Sequence, residues 1–274
     1  MDLVWLLLAI ALATLFIHRT TAVSLAGIAI VMAWWQGIVT LEGVVILMAA
    51  GALAKGRHLL RGRRYWQRAA EGIMVLICIA LFLHLLPGFN NPKVVDSVQV
   101  GPQSAAWSMY FNFDKAMVPF LLAGILPSVL SVQRAPQRWP YWLLLSLAIP
   151  ALLLLAVALG GLRLEPHFPV WLPQFMLANL FFVSLAEEAL FRGWLQQRLQ
   201  QKLGNVPALL LASLVFGLAH VAGGPLLVAF AALAGVIYGL AWWWSGRLWV
   251  ATLFHFALNL THLLFFTYPM WRPV

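Results

Sequence analysis

In the C-terminal third of the chain, side chains suited to acid–base chemistry interrupt an otherwise apolar stretch. Glu187 and Glu188 are adjacent, and Arg192 completes the spacing E-E-x-x-x-R. Phe216 and His220 form F-x-x-x-H, and His255 and Asn259 form H-x-x-x-N. A carboxylate near an imidazole can take a proton from water, and His and Asn N–H groups can donate to a developing oxyanion. An ionised side chain at bilayer depth costs roughly 3 kcal/mol on insertion scales. Two adjacent acids there require a buried partner, a water-filled cavity or a chemical task.

Helix geometry sorts these groups. Glu188 and Arg192 are i, i+4 neighbours able to form an ion pair, while Glu187 is rotated by about 100° toward a different partner. His255 and Asn259 share one face by the same spacing. Gly204 lies 17 residues beyond Glu187 and 16 before His220. If both arms of a turn at Gly204 are unkinked helices, Glu187 and His220 reach nearly one depth and can share a water molecule. Each group also has a plainer reading. Glu188–Arg192 can be a structural ion pair, and Asn259 an interhelical hydrogen bond worth about 1 kcal/mol. His84 and His262 fit helix-bridging hydrogen bonds, and Glu42 a structural place in a turn. Joint occurrence at compatible depths favours a site.

The elements that must hold these residues follow from composition. Of 274 residues, 63% are hydrophobic and 9% charged, with mean hydropathy +0.90. Soluble domains carry about 25% charged residues, so the chain reads as an integral membrane protein. Its many separate apolar runs imply an all-α, polytopic transmembrane helical bundle rather than a barrel, whose strands alternate in polarity. The runs are Leu3–Ile17, Thr21–Trp35, Ile38–Ala54, Ala70–Leu86, Ala116–Val132, Tyr141–Leu159, Trp171–Phe191, Pro207–Val221, Pro225–Trp244 and Leu248–Phe266. The second and third are short for a crossing of about 20 residues. They fit a hairpin through Gln36-Gly37, a re-entrant element or one long span, so eight to ten spans are expected, with the catalytic core in the last four. Residues 1–170 form an N-terminal transmembrane region of unassigned role, 171–266 the core, and 267–274 a tail.

The formal charge of +9 does not point to nucleic acid, because the basic residues sit in short connections between spans. One side holds Arg19, the run Lys55–Arg68 including Arg61, Arg134, Arg138, Arg192, Arg198, Lys202 and Arg247. The other holds Lys93, Lys115, Arg163 and Arg272. The positive-inside rule makes the first side cytoplasmic and Pro87–Asp114 the largest external segment. The Lys55–Arg68 run reads as a topology anchor, with anionic lipid as the alternative. The first apolar run lacks a basic leader and a small-residue cleavage site, so no cleavable signal peptide is expected. The single cysteine, Cys78, excludes an intrachain disulfide. Trp139, Trp142, Trp171 and Trp249 lie near span ends, as interfacial aromatics do.

The ordered set Glu187-Glu188-x-x-x-Arg192, Phe216-x-x-x-His220 and His255-x-x-x-Asn259 resembles the CAAX-protease and bacteriocin-processing (CPBP, or Abi) family of intramembrane glutamic peptidases. The match runs from about Trp171 to Phe266, and the first 170 residues carry no such motif. The resemblance implies Glu187 as general base for the attacking water with His220 assisting. It implies His255 and Asn259 as the oxyanion hole, with Glu188 and Arg192 orienting and tuning the site. The expected substrate is a membrane-embedded or lipidated protein reached through the bilayer, with no nucleic acid partner and no cofactor. A bacterial inner membrane is the expected location, and the oligomeric state stays open.

Other chemistries fit less well. H-E-x-x-H and a G-x-S-G-type serine element are absent, and Asp2, Asp96 and Asp114 fall outside the expected spans. Glu187, His220 and His255 together have the donor types of a two-His-one-carboxylate zinc site. Two non-protease classes also accommodate the polar groups: a non-catalytic membrane immunity or peptide-binding protein, and a proton-coupled transporter. The lack of an internal repeat argues against the transporter.

Overall fold

A computed structural model describes residues 2–60 and 62–272 of the chain. Its helices are α1 (Leu3–Thr14), α2 (Arg19–Trp35), α3 (Leu41–Leu59), α4 (Arg64–Phe82), α5 (Phe113–Ile125) and α6 (Trp139–Ala158). They continue with α7 (Leu172–Leu203), α8 (Asn205–Leu218), α9 (Gly224–Ser245) and α10 (Leu248–Phe265). Among the described residues, five helices are long and apolar enough to cross a membrane: α4, α6, α7, α9 and α10. The helices α1, α2 and α8 are apolar but shorter. The fold is therefore helical and membrane-compatible, while five rather than eight to ten helices meet the length and apolarity that a crossing needs.

Several boundaries differ from hydropathy for local reasons. Gly37, at φ +73°, breaks the chain after α2, so the second and third apolar runs do not form one span. Glu42 lies in the first turn of α3 rather than in a turn between helices, where a carboxylate suits the N-terminal end of the helix dipole. The basic run Lys55–Arg68 is mainly the end of α3 and the start of α4, not a loop. Arg61 lies outside the described residues, as do residues 273 and 274 of the tail. The run Ala116–Val132 is not one helix. Its α5 stops at Ile125 because Pro127 follows, and Leu126 is pushed out of the helical region, to φ −137° and ψ 88°, as proline disfavours a helical residue before it. Asp114 is not in a loop. It is buried in the first turn of α5, paired to His84 Nδ1 at 2.6 Å and accepting from Asn91 at 3.0 Å. His84 thus ties the end of α4 to the start of α5. His262 does not bridge helices, because its Nε2 donates to the Thr267 carbonyl five residues on, at 3.1 Å.

Within Pro87–Asp114 a hairpin forms from β1 (Lys93–Val98) and β2 (Trp107–Tyr110), antiparallel, with Val95 opposite Met109. The helical reading did not anticipate it. Trp107 packs against Trp171, Phe175 and Tyr268, so the hairpin sits on the start of α7 and the chain after α10.

The central element is α7. In its most apolar window 67% of residues are buried inside the protein, against 22–33% for the other four long helices. On α6 and α8, Leu143, Leu144, Leu147, Leu210 and Leu214 are exposed, as lipid-facing side chains must be. Trp5 of α1 packs its ring on Phe182 of α7 at 5.6 Å and on Phe111 and Phe113. The N-terminal helix therefore supports the segment of α7 just before the carboxylates.

Candidate active site

The backbone of α7 is irregular around the acids. A single α-helical turn, Leu185–Glu188, lies between two π-helical stretches, Ala178–Ser184 and Ala189–Gln196. Such widened turns concentrate at functional sites because they re-aim side chains. Glu187 is 7% exposed, while Glu188 and Arg192 are fully buried.

The two adjacent carboxylates have different surroundings. Glu188 Oε1 accepts from Arg192 Nη1 at 2.9 Å and from His255 Nδ1 at 2.8 Å, and Glu188 Oε2 is buried without a hydrogen-bond partner. A carboxylate paired to guanidinium only accepts, so the His255 proton lies on Nδ1. The other ring nitrogen, Nε2, faces Glu187 Oε2 at 3.9 Å. The His255 ring is stacked on Tyr238 with centroids 4.5 Å apart and planes at 10°, and Phe216 meets it edge-on at 5.8 Å. Arg192 also donates to the Gly235 carbonyl at 3.1 Å and lies 4.3 Å over the Phe216 ring.

The chain turns at Gly204, whose φ of +84° favours glycine, as the spacing predicts. From there α8 runs to Leu218, and His220 follows in the turn beyond it, half-buried. His220 Nδ1 donates to the Phe216 carbonyl at 2.8 Å. A carbonyl only accepts, so neutral His220 presents an unprotonated Nε2. Phe216 lies 4.8 Å from the His220 ring and 5.8 Å from the His255 ring, and so touches both imidazoles. The structure thus joins Glu187, Glu188, Arg192 and His255 directly, and His220 reaches them through Phe216. Asn259 pairs elsewhere: its amide donates to Asn179 Oδ1 at 3.2 Å, which also accepts from Ser184 Oγ at 3.1 Å.

Close helix approach makes this possible. Arg192 and Gln196 of α7 donate to the carbonyls of Gly235 and Gly239 of α9, i, i+4 matched to i, i+4. A Cβ on Gly239 would meet Gln196 Oε1 at 2.7 Å and collide with Leu209. Gly217 serves the α8–α9 contact in the same way, since its Cβ would come 2.6 Å from the Val228 carbonyl oxygen. These are small residues used where membrane helices pack tightly.

The sequence reading missed Asn179, Ser184, Gln196, Tyr238 and Glu71. Asn179 and Ser184 are polar residues within an apolar run, a signal that was available. Glu71 is a lone acid in the fourth apolar run. Its carboxylate accepts from Arg198 Nε and Nη2, each at 2.6 Å, and from Trp194 Nε1 at 3.0 Å, with Arg57 at 3.6 Å. It therefore fastens α4 and α3 to α7. Tyr238 gave no sequence signal, because an aromatic in an apolar helix looks like any core residue.

Two cavities lie away from the carboxylates. One of about 450 Å³ opens between α6 and α10, lined by Ile149, Pro150, Leu253, Phe254 and Ala257. Helix phase puts it on the face of α10 opposite His255 and Asn259. The other, of about 770 Å³, lies among the basic connections. No curated protein and no solved structure matches the chain. Residues 169–261, which hold all three motifs, match the family model described as Type II CAAX prenyl endopeptidase Rce1-like.

Proposed function

We propose that the chain is an intramembrane endopeptidase of glutamic type, which hydrolyses a peptide bond in a membrane-associated or lipidated protein with a base-activated water. The observation that carries this reading is the inequality of the two carboxylates. Glu188 is committed to Arg192 and His255, while the nearest charged partner of Glu187 is His255 Nε2 at 3.9 Å. Glu187 is therefore the acid free to accept a proton.

In this mechanism Glu187 takes a proton from water as the oxygen attacks the scissile carbonyl carbon, and the Nε2 of His220 offers a second acceptor to the same water. The oxyanion role of His255 requires a proton on Nε2 as well as the one that Nδ1 donates to Glu188. The Nε2–H of His255 and the second amide hydrogen of Asn259 then donate to the oxyanion. When the intermediate collapses, the C–N bond breaks and the Glu187 proton passes to the leaving amine. Glu188, Arg192 and Tyr238 hold His255 in place. Residues 1–170 serve as the scaffold, with Trp5 and Glu71 bracing α7. A count of eight spans would require the shorter apolar helices α1, α2 and α8 to cross as well as the five long ones. A bacterial inner membrane suits the basic side as cytoplasmic.

The test is cleavage of a lipidated reporter peptide in proteoliposomes. Glu187→Gln and His220→Ala are expected to lower turnover by about 100-fold or more, the usual contribution of general base catalysis, with membrane insertion unchanged. Retained turnover in Glu187→Gln refutes the mechanism. Among the described residues no three His, Cys, Asp or Glu side chains are grouped to hold a metal ion, and turnover is expected to survive a strong chelator.

A further inference from the structure

The larger cavity, of about 770 Å³, falls in the range of roughly 300–1,000 Å³ typical of ligand sites. It is built where the α1–α2 connection, residues 130–134 and the α9–α10 connection meet. The last two are tied by backbone hydrogen bonds from Val132 to Gly246 and from Leu248 to Leu130. Arg19, Arg134 and Arg247 line it, and no acidic residue does. Among the described residues none of these three guanidinium groups pairs with a carboxylate. Arg19 donates to the Pro127 carbonyl at 3.1 Å and Arg134 to Gln200 Oε1 at 2.9 Å, neutral oxygens that orient the cations without neutralising them. Exposed cations of one sign gathered around one cavity attract an anion, most strongly at low salt.

The rim has a different chemistry. Phe16, Ile17 and Trp249 line the same cavity, and Ile17 and Trp249 are exposed. The cavity thus sets three exposed arginines beside an apolar edge, at the ends of helices on the basic side of the protein. Guanidinium forks match phosphate oxygens, and aromatic side chains favour the interfacial level. We propose that this cavity binds the phosphodiester headgroup of an anionic phospholipid, with the acyl chains leaving along Ile17 and Trp249. It would link the N-terminal helices to the α9–α10 pair that carries Tyr238 and His255.

The test uses the full-length protein, delipidated in neutral detergent, with unfolding temperature followed against added short-chain phosphatidylglycerol, phosphatidylcholine or inorganic phosphate. Phosphatidylglycerol is expected to stabilise saturably, and the other two are not. Arg19→Gln, Arg134→Gln and Arg247→Gln should weaken that response by about fivefold per guanidinium removed. Removing the same charge outside the cavity, as Arg63→Gln with Arg64→Gln and Arg68→Gln, should leave it unchanged. If the combined cavity variant fails to fold, Arg247→Gln alone carries the measurement. The proposal is overturned if phosphatidylcholine or inorganic phosphate stabilises equally, or if the control variant loses as much affinity as the cavity variant.

Discussion

Arg192→Met tests whether the ion pair on α7 holds the site together. The Arg192 side chain is fully buried, donates at 2.9 Å to Glu188 and at 3.1 Å to the Gly235 carbonyl, and covers the Phe216 ring. Methionine of similar length fills much of the volume but leaves Glu188 charged, with one oxygen already unpartnered. Breaking a buried pair on one side costs roughly 3–5 kcal/mol, chiefly for the stranded charge. The double variant Arg192→Met with Glu188→Gln strands no charge and should recover about half of that loss or more. Reversible unfolding in mixed micelles gives the four corners of this cycle, with an expected coupling of at least about 2 kcal/mol, the recovered part plus whatever Glu188→Gln costs alone. Cleavage should separate from stability: the double variant remains inactive because His255 has lost the carboxylate that orients Nδ1. A loss below about 1 kcal/mol in Arg192→Met, or strict additivity in the double variant, would refute a coupled buried pair.

Gly239→Ala should cost about 1–3 kcal/mol through the Gln196 and Leu209 contacts, whereas Gly51→Ala, with open space around its Cβ, should not destabilise. Thermal unfolding of both variants decides it. Tyr238→Phe should keep turnover because the stack on His255 survives, while Tyr238→Leu should lower it with normal insertion, losing about 0.5–1.5 kcal/mol of ring contact. Equal turnover in the two would remove Tyr238 from the positioning of His255. Glu71→Gln should lower stability by about 1.5–3 kcal/mol, the worth of a hydrogen bond to a charged group, and an unchanged unfolding curve would show that α4 is held to α7 by packing alone.

Hydropathy made the helical, membrane-compatible class legible, because alternation of long apolar runs with basic connections leaves few other folds. The turn at Gly204 and the i, i+4 pairing of Glu188 with Arg192 were also legible, since both depend only on local geometry. The ends of α5 and α7 were less so. Pro127 stops one helix early, and α7 runs on to Leu203 through a polar stretch that hydropathy reads as loop. The hairpin β1–β2 was missed because its strands are short and its apolar contacts come from Trp171, Phe175 and Tyr268, all remote in sequence.

The sequence alone determined which residue types occupy the C-terminal spans and that Glu187 and Glu188 face different directions. Tertiary structure decided what lies in each direction. Only the packing of α10 against α7 puts one His255 nitrogen on Glu188 and the other toward Glu187. Only the glycine contacts of α9 bring Tyr238 beneath that ring and the Gly235 carbonyl to Arg192. Asn259, expected beside His255 in one role, also donates one amide hydrogen to Asn179, a partner on α7 that spacing along α10 does not reveal. Spacing along a helix fixes the direction of a side chain, but its partner depends on which helix lies across from it and how closely the backbones can approach.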